Sequence, residues 1–426
     1  MTDKIDQALA VAVAQFSAKR PQSAALFERA KRVMPGGNTR TVLFAQPFPI
    51  RIARAEGACL HDVDGHSYRD FLGEYSAGIY GHSHPAIAAA VAEAVAGGLN
   101  FGAHHVREVE FAESVCQRFA LERVRFTNSG TEANMMAIAA ARAFTGRGRI
   151  MVMQGGYHGG TLYFVRGASP VNAPFEAVLA PFNDIEATRA LISDDLAAIV
   201  VEPMQGSGGC IPATVEFLAM LRAEATRRGI VLIFDEVMTS RFGSGGLAQV
   251  HGIQPDLKTL GKYIGGGMSF GAFGGKATVM DLFDPTRPNA LPHAGTFNNN
   301  TLTMAAGLKG IRDIFTPDAA AALNARGERL KTALNGVFMH YQMAWQVTGI
   351  GSLLNFHPVS GAIASTGDLA KADVRLRRLL YYHLLEEGIY LAERGYMALS
   401  LALAEADHEA LLQAVEGFAQ RYRGVV

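Results

Sequence analysis

Lys262 heads a stretch, TLGKYIGGGMSFGAFGG (259–275), that holds seven glycines and no other lysine. A lysine amine becomes a nucleophile when partial burial or a nearby positive charge lowers its pKa. The glycines after it let backbone approach a planar ligand closely. FDEV (234–237) offers an acid at a strand end. In extended backbone Ile233, Asp235 and Val237 share one face and Glu236 takes the other. Asp235 then suits a protonated ring nitrogen, with Val237 packing on the ring. The same four residues also fit a Walker B magnesium ligand or a buried acid paired with a structural arginine, but the chain has no GxxxxGK[ST]. NSGTEAN (128–134) reads as a helix start in which Ser129 is the N-cap and Glu132 completes a capping box. Ser129, Gly130 and Thr131 would there present free N–H groups and a positive helix end to a phosphate. Tyr157, in GGYHGG (155–160), is placed to stack on a ring. His82, His84, His104, His105 and His158 form pairs without HExxH or a third acidic ligand at metal spacing, so no metal site is expected. His158 alone has a candidate place beside a cofactor.

Positioning these groups requires a sheet whose strand ends converge. Short apolar runs alternate with amphipathic stretches through the middle of the chain, the pattern of a mainly parallel sheet covered by helices. Strands are expected at 123–128, 149–154, 176–181, 197–202, 230–237, 257–261 and 270–275. The motifs follow directly after them, at the carboxyl ends where open α/β sheets bind ligands. Glu202 ends one strand and Gln205 follows it. Helices are expected to end at Gly146 and Gly229. The termini carry longer helices and isolated strands, which predicts a second domain built from both ends: segments 1–62 and 302–426 flank a large domain at 63–301.

With 426 residues, 49% of them hydrophobic, the chain has material for one large and one smaller core. Its 39 basic and 39 acidic side chains balance, which argues against a nucleic-acid or membrane-surface protein. Cys59, Cys116 and Cys210 lie far apart and read as reduced thiols. There is neither a signal-peptide pattern nor an apolar run of membrane-spanning length, so a cytoplasmic enzyme is expected.

Taken together, MPGGNTR (34–40), DVDGHSYRDF (62–71), GHSHPAI (81–87), FTNSGTEAN, GGYHGG, VEPMQG (201–206), FDEVMTSR, the lysine loop and HAGTFNNN (293–300) resemble the class III, fold type I pyridoxal-phosphate aminotransferases. The likeness covers nearly the whole chain. It is closest to the branch containing glutamate-1-semialdehyde aminomutase and the β-amino-acid (β-phenylalanine-type) transaminases. The resemblance implies a PLP-dependent transferase fold of type I, with a mostly parallel seven-stranded sheet and a smaller α+β domain. It implies that Lys262 bonds covalently to pyridoxal 5′-phosphate and shuttles a proton, and that Asp235 keeps the ring nitrogen protonated. Ser129, Gly130 and Thr131 would bind the phosphate, with Thr296 reaching in from the partner subunit of a homodimer. Tyr157 and Val237 would hold the two faces of the ring, and Glu202 would orient groups near its hydroxyl.

Two arginines occupy family positions for substrate recognition. Arg40 corresponds to the region that grips the carboxylate of a β-amino acid, and Arg394 to a site for the distal carboxylate of a 2-oxoglutarate-like acceptor. A guanidinium suits either because it meets a carboxylate with two parallel hydrogen bonds; a surface or interface salt bridge is the plain alternative for each. The chain departs from the aminomutase pattern at Glu74–Gly78, at SLALAEAD (400–407) and at Gly266-Gly267, which replaces an Arg-Pro pair. These departures favour a ping-pong transaminase with a separate 2-oxo acid acceptor, and the Arg40 region, with Leu43, Phe44, Tyr75 and Tyr80 nearby, favours a β-amino acid donor with an aromatic side chain. The alternatives are glutamate-1-semialdehyde 2,1-aminomutase and a class III ω-transaminase of other amines.

Overall fold

A computed structural model describes residues 3–424 and divides the chain into two compact units. One comprises Pro85–Asn324 with Ile363–Asp368. The other collects the chain through His84, Ala325–Ala362 and the part from Leu369 onward. The sequence pattern predicts the divisions after residues 62 and 301. Strand Ser67–Asp70 pairs with Cys59–Asp62, which carries the first segment past residue 62. Helix Thr301–Lys309 packs on Pro85–Ala96 and Val106–Phe119, which keeps it with the larger unit.

The larger unit is built on seven strands: β1 (Arg123–Thr127), β2 (Arg149–Met153), β3 (Ala177–Ala180), β4 (Leu196–Val201), β5 (Val231–Asp235), β6 (Leu257–Gly261) and β7 (Gly271–Gly275). Their order across the sheet is β1-β7-β6-β5-β4-β2-β3. Only β7 runs against the rest, pairing antiparallel with β6 and β1. All seven strands lie where the sequence predicts them. The central ones are buried along their whole length, which explains why they read as continuous apolar runs rather than alternating ones.

Helix α1 (Gly130–Thr145) follows β1 and packs its alanine-rich face on the sheet beside Ile150, Val152, Val200 and Ile233. The small Ala133, Ala137, Ala140 and Ala141 let the helix lie close, and Gly146 ends it in the left-handed conformation that glycine adopts without strain. Gly229 ends the helix Val215–Arg228 in the same way.

In the smaller unit, Ile52–Glu56, Cys59–Asp62 and Ser67–Asp70 form an antiparallel sheet extended by Ile389–Tyr390. A second sheet joins Gln346–Ile350, Leu353–His357 and Tyr396–Ala398. Helix Lys4–Lys19 packs on Val374–Glu386. Arg20 is buried at their junction, where it donates to Tyr68 Oη (3.1 Å) and to Glu386 (2.9 Å). Such pairing is what a buried guanidinium requires.

Candidate active site

Register across the sheet brings the candidate groups together. Asp235 pairs with Thr259 on β6, three residues before Lys262, and Phe234 pairs with Val201 on β4, one residue before Glu202. Lys262 is half-buried, at the first position of a tight turn, Lys262–Gly265. Its φ of +54° is a left-handed conformation that L residues rarely adopt and that tends to be held at functional sites. The glycines behind it permit close approach: a Cβ on Gly266 would lie 2.3 Å from the backbone of Ala306.

Asp235 is buried and its carboxylate is fixed from three sides. Oδ2 accepts from Asn134 Nδ2 (2.8 Å) and is bonded to His158 Nδ1 (2.8 Å), and Oδ1 accepts from Val237 N–H (3.0 Å). The strand ends at Asp235, so it is this turn, rather than strand alternation, that sets Val237. Val237 lies against Gly130, where a Cβ would come within 3.0 Å of it. Glu236, just past the strand end, is buried as well. There it accepts from Leu247 N–H (2.7 Å), Ala248 N–H (3.1 Å) and Thr239 Oγ1 (3.2 Å), with Lys258 Nζ at 3.8 Å.

Asn134 and Thr259 join this network, which no motif in the sequence indicates. Asn134 Nδ2 also donates to the His158 carbonyl (3.0 Å), and its Oδ1 accepts from Thr259 Oγ1 (2.8 Å). Both residues are buried. A signal existed, since asparagine in the interior of an alanine-rich helix is unfavourable unless its amide is used.

Burial opposes a charge on His158, but the Asp235 carboxylate on Nδ1 outweighs it and the imidazole pKa is raised. Burial likewise pushes the Glu202 carboxyl up to about 7. Glu202 accepts from Tyr157 N–H (2.8 Å) and Gly206 N–H (3.0 Å), so it fixes the backbone that carries Tyr157. The Tyr157 ring stands edge-on to Tyr163, with centroids 5.8 Å apart.

At the start of α1, Ser129 Oγ accepts Glu132 N–H (3.2 Å), and the first intrahelical bond runs from Ala133 N–H to the Ser129 carbonyl. The amides of Gly130 and Thr131 therefore face out of the helix end, as an anion site requires. The expected capping box forms one residue off: Glu132 reaches the N–H of Asn128 (2.9 Å) rather than that of Ser129. Thr131 Oγ1 accepts from Gly160 N–H (3.1 Å), which ties this helix start to the loop of Tyr157 and His158.

Ser129, Gly130, Thr131, Tyr157, His158, Glu202, Asp235, Val237 and Lys262 thus all come from the carboxyl ends of one sheet. Thr296 stands apart, exposed on its loop beside Phe297. Arg40 and Arg394 belong to the smaller unit, where both guanidiniums flank the Tyr75 ring, at 5.6 and 5.5 Å from its centroid. Among the described residues there is no group of three His, Cys, Asp or Glu able to hold a metal ion. None of their helices is long and apolar enough to cross a membrane.

The chain's likeness to known proteins agrees with this chemistry. A family model described as class III aminotransferase matches residues 44–418. A β-phenylalanine transaminase of Variovorax paradoxus is 54% identical over 418 residues, covering 97% of this chain and 96% of that protein. A glutamate-1-semialdehyde 2,1-aminomutase of Methanothermobacter thermautotrophicus is 36% identical over 414 residues, covering 93% and 98%. The crystal structure of a β-phenylalanine aminotransferase from Variovorax paradoxus matches with a TM-score of 0.97 at 53% identity, covering 99% of this chain and 98% of that one. With an amine, a buried acid and an open helix start on one sheet edge, and a family match along most of its length, the chain belongs to the class III aminotransferases, enzymes that work with pyridoxal 5′-phosphate.

Proposed function

We propose that this aminotransferase moves the amino group of an aromatic β-amino acid of the β-phenylalanine type to a 2-oxo acid such as 2-oxoglutarate, by a ping-pong mechanism. The observation that carries the reading is the 54% identity to the β-phenylalanine transaminase along nearly the whole chain.

The residues present fit the cofactor: outward amides at Gly130 and Thr131 for a phosphate, a buried Asp235 for a cationic ring nitrogen, and a cradle at Gly130 that a Cβ would fill. When bound, pyridoxal phosphate supplies an electron sink that lets an amino group leave one substrate and be held for the next. Lys262 would present the amine that anchors it and would carry the proton that moves during transfer. Asp235, held by Asn134, His158 and the Val237 amide, keeps the ring nitrogen protonated. Val237 and Tyr157 would hold the two faces of the ring. Glu202 orients the loop of Tyr157 and the groups near the ring hydroxyl.

Arg40 takes the carboxylate of the β-amino acid and Arg394 the distal carboxylate of the acceptor. Their shared position on the Tyr75 ring supports one cationic cluster serving both half-reactions. The enzyme acts as a homodimer in which Thr296 completes the partner's phosphate site. In support, Leu99, Phe101, Val106, Val109 and Phe297 leave large apolar side chains exposed on the larger unit.

The test incubates purified enzyme, reconstituted with pyridoxal phosphate, with β-phenylalanine and 2-oxoglutarate. Formation of 3-oxo-3-phenylpropanoate and glutamate, strictly dependent on the acceptor, is expected, and Arg40→Ala should lose selectivity for carboxylate donors. Turnover of glutamate-1-semialdehyde without an acceptor would establish the aminomutase instead. Turnover of amines lacking a carboxylate in preference to β-phenylalanine would make it a broad ω-transaminase.

A further inference from the structure

Glu74 stands in backbone that L residues avoid. Gly73, Glu74, Tyr75 and Ser76 have φ of +52, +46, +52 and +81°, with Glu74 and Tyr75 in the left-handed helical region (ψ 47° and 45°). Such a turn persists only where its surroundings impose it. Here Asp70 Oδ1 accepts the N–H groups of Leu72 (2.9 Å) and Gly73 (3.0 Å), and Gly78 N–H closes on the Gly73 carbonyl (2.9 Å). A Cβ on Gly73 would lie 2.8 Å from the Ala398 carbonyl oxygen, so the turn is also clamped from the neighbouring strand.

The consequence is a divided orientation. Tyr75 is buried, stacked on Tyr396 at 5.6 Å and 15°, and its hydroxyl donates to the Val42 carbonyl (3.1 Å). Its predecessor points outward and places a carboxylate directly on the Arg40 guanidinium. Arg40 thus lies over the Tyr75 ring with its charge met by an acid of the same unit.

Resting on the reading of Arg40 as the donor's carboxylate site, we infer that Glu74 is a specificity-determining residue, an internal carboxylate that occupies Arg40 until a substrate carboxylate displaces it. Glu74 takes Arg40 Nη1, and a substrate carboxylate that grips the guanidinium with two parallel hydrogen bonds must displace it or sit against its like charge. A neutral ligand has no charge with which to open the pair. Discrimination between carboxylate and neutral ligands is therefore set by the difference between two like interactions, not by Arg40 alone.

Calorimetric binding of 3-phenylpropanoate and of its primary amide to the holoenzyme tests this, because neither ligand can react. Both side chains of the pair are about half exposed (43% and 54%), so removing the competitor has a modest effect. Glu74→Gln should tighten the acid relative to the amide roughly three- to fivefold, the strength of one exposed ion pair. Glu74→Gly, which removes the carboxylate and suits the left-handed backbone, should do the same. If the acid binds no better, or worse, in both variants while Arg40→Gln abolishes the acid's advantage, Glu74 holds Arg40 in place and the competition is refuted. If Arg40→Gln leaves that advantage intact, the Arg40 reading falls, and this proposal with it.

Discussion

Asn134→Ala isolates the support of Asp235. The substitution removes the donor to Asp235 Oδ2 (2.8 Å), the donor to the His158 carbonyl (3.0 Å) and the acceptor of Thr259 Oγ1 (2.8 Å), all of them buried. Leaving one charged and two neutral groups without this partner costs about 4 kcal/mol of stability, at 1–3 kcal/mol for each. The charged contact is the one that concerns the cofactor. His158 and the Val237 amide still hold Asp235, so the carboxylate stays but is less constrained, and affinity for pyridoxal phosphate should fall about tenfold, half or more of one charge-assisted hydrogen bond. Thr259→Val is the control. It removes the hydroxyl from Asn134 but leaves every Asp235 bond, and should cost about 1 kcal/mol without weakening cofactor binding. Urea unfolding of the apoproteins gives the stabilities, and equilibrium dialysis of the cofactor gives the affinities. If Asn134→Ala is destabilised yet binds cofactor as tightly as the wild type, Asn134 only fills space beside Asp235 and the network argument is wrong.

Lys262→Ala should bind the cofactor reversibly, and borohydride should no longer fix it to the protein; a mass increase after reduction at any other lysine would reassign the anchor. Gly266→Ala forces a Cβ to 2.3 Å from the Ala306 backbone at a φ of +65°, and a melting temperature reduced by the equivalent of about 3 kcal/mol is expected. An unchanged melting temperature would mean that the lysine loop can shift away from Thr301–Lys309. Glu202 supplies a pH dependence whose sign is fixed. Its folded pKa of about 7 lies above the ordinary 4.5, so its contribution is full below pH 4.5 and is lost as pH rises through 7. Glu202→Gln should therefore gain on the wild type across that window by up to about 3 kcal/mol, and a stability difference that stays flat with pH would refute the buried, raised carboxyl.

All seven strands of the main sheet were legible in the sequence, because strands buried on both faces are apolar throughout and glycines punctuate their ends. Because each motif directly follows a strand, their convergence at the carboxyl edge of the sheet was legible too. Helix ends at Gly146 and Gly229 followed from local chemistry alone. Tertiary structure decided what depends on partners far along the chain. Asn134 meets Asp235 across 101 residues and Thr259 across 125, distances at which spacing carries no information. The left-handed turn at Gly73–Ser76 has one glycine followed by three residues that prefer other backbone, and it exists because Asp70 and the strand at Ala398 impose it. Whether Arg40 faces solvent or an acid was equally closed to the sequence, since Glu74 is 34 residues away and reaches it only through that turn. Local sequence determined which groups with chemistry stand at the strand ends; long-range packing determined which other groups hold them in place.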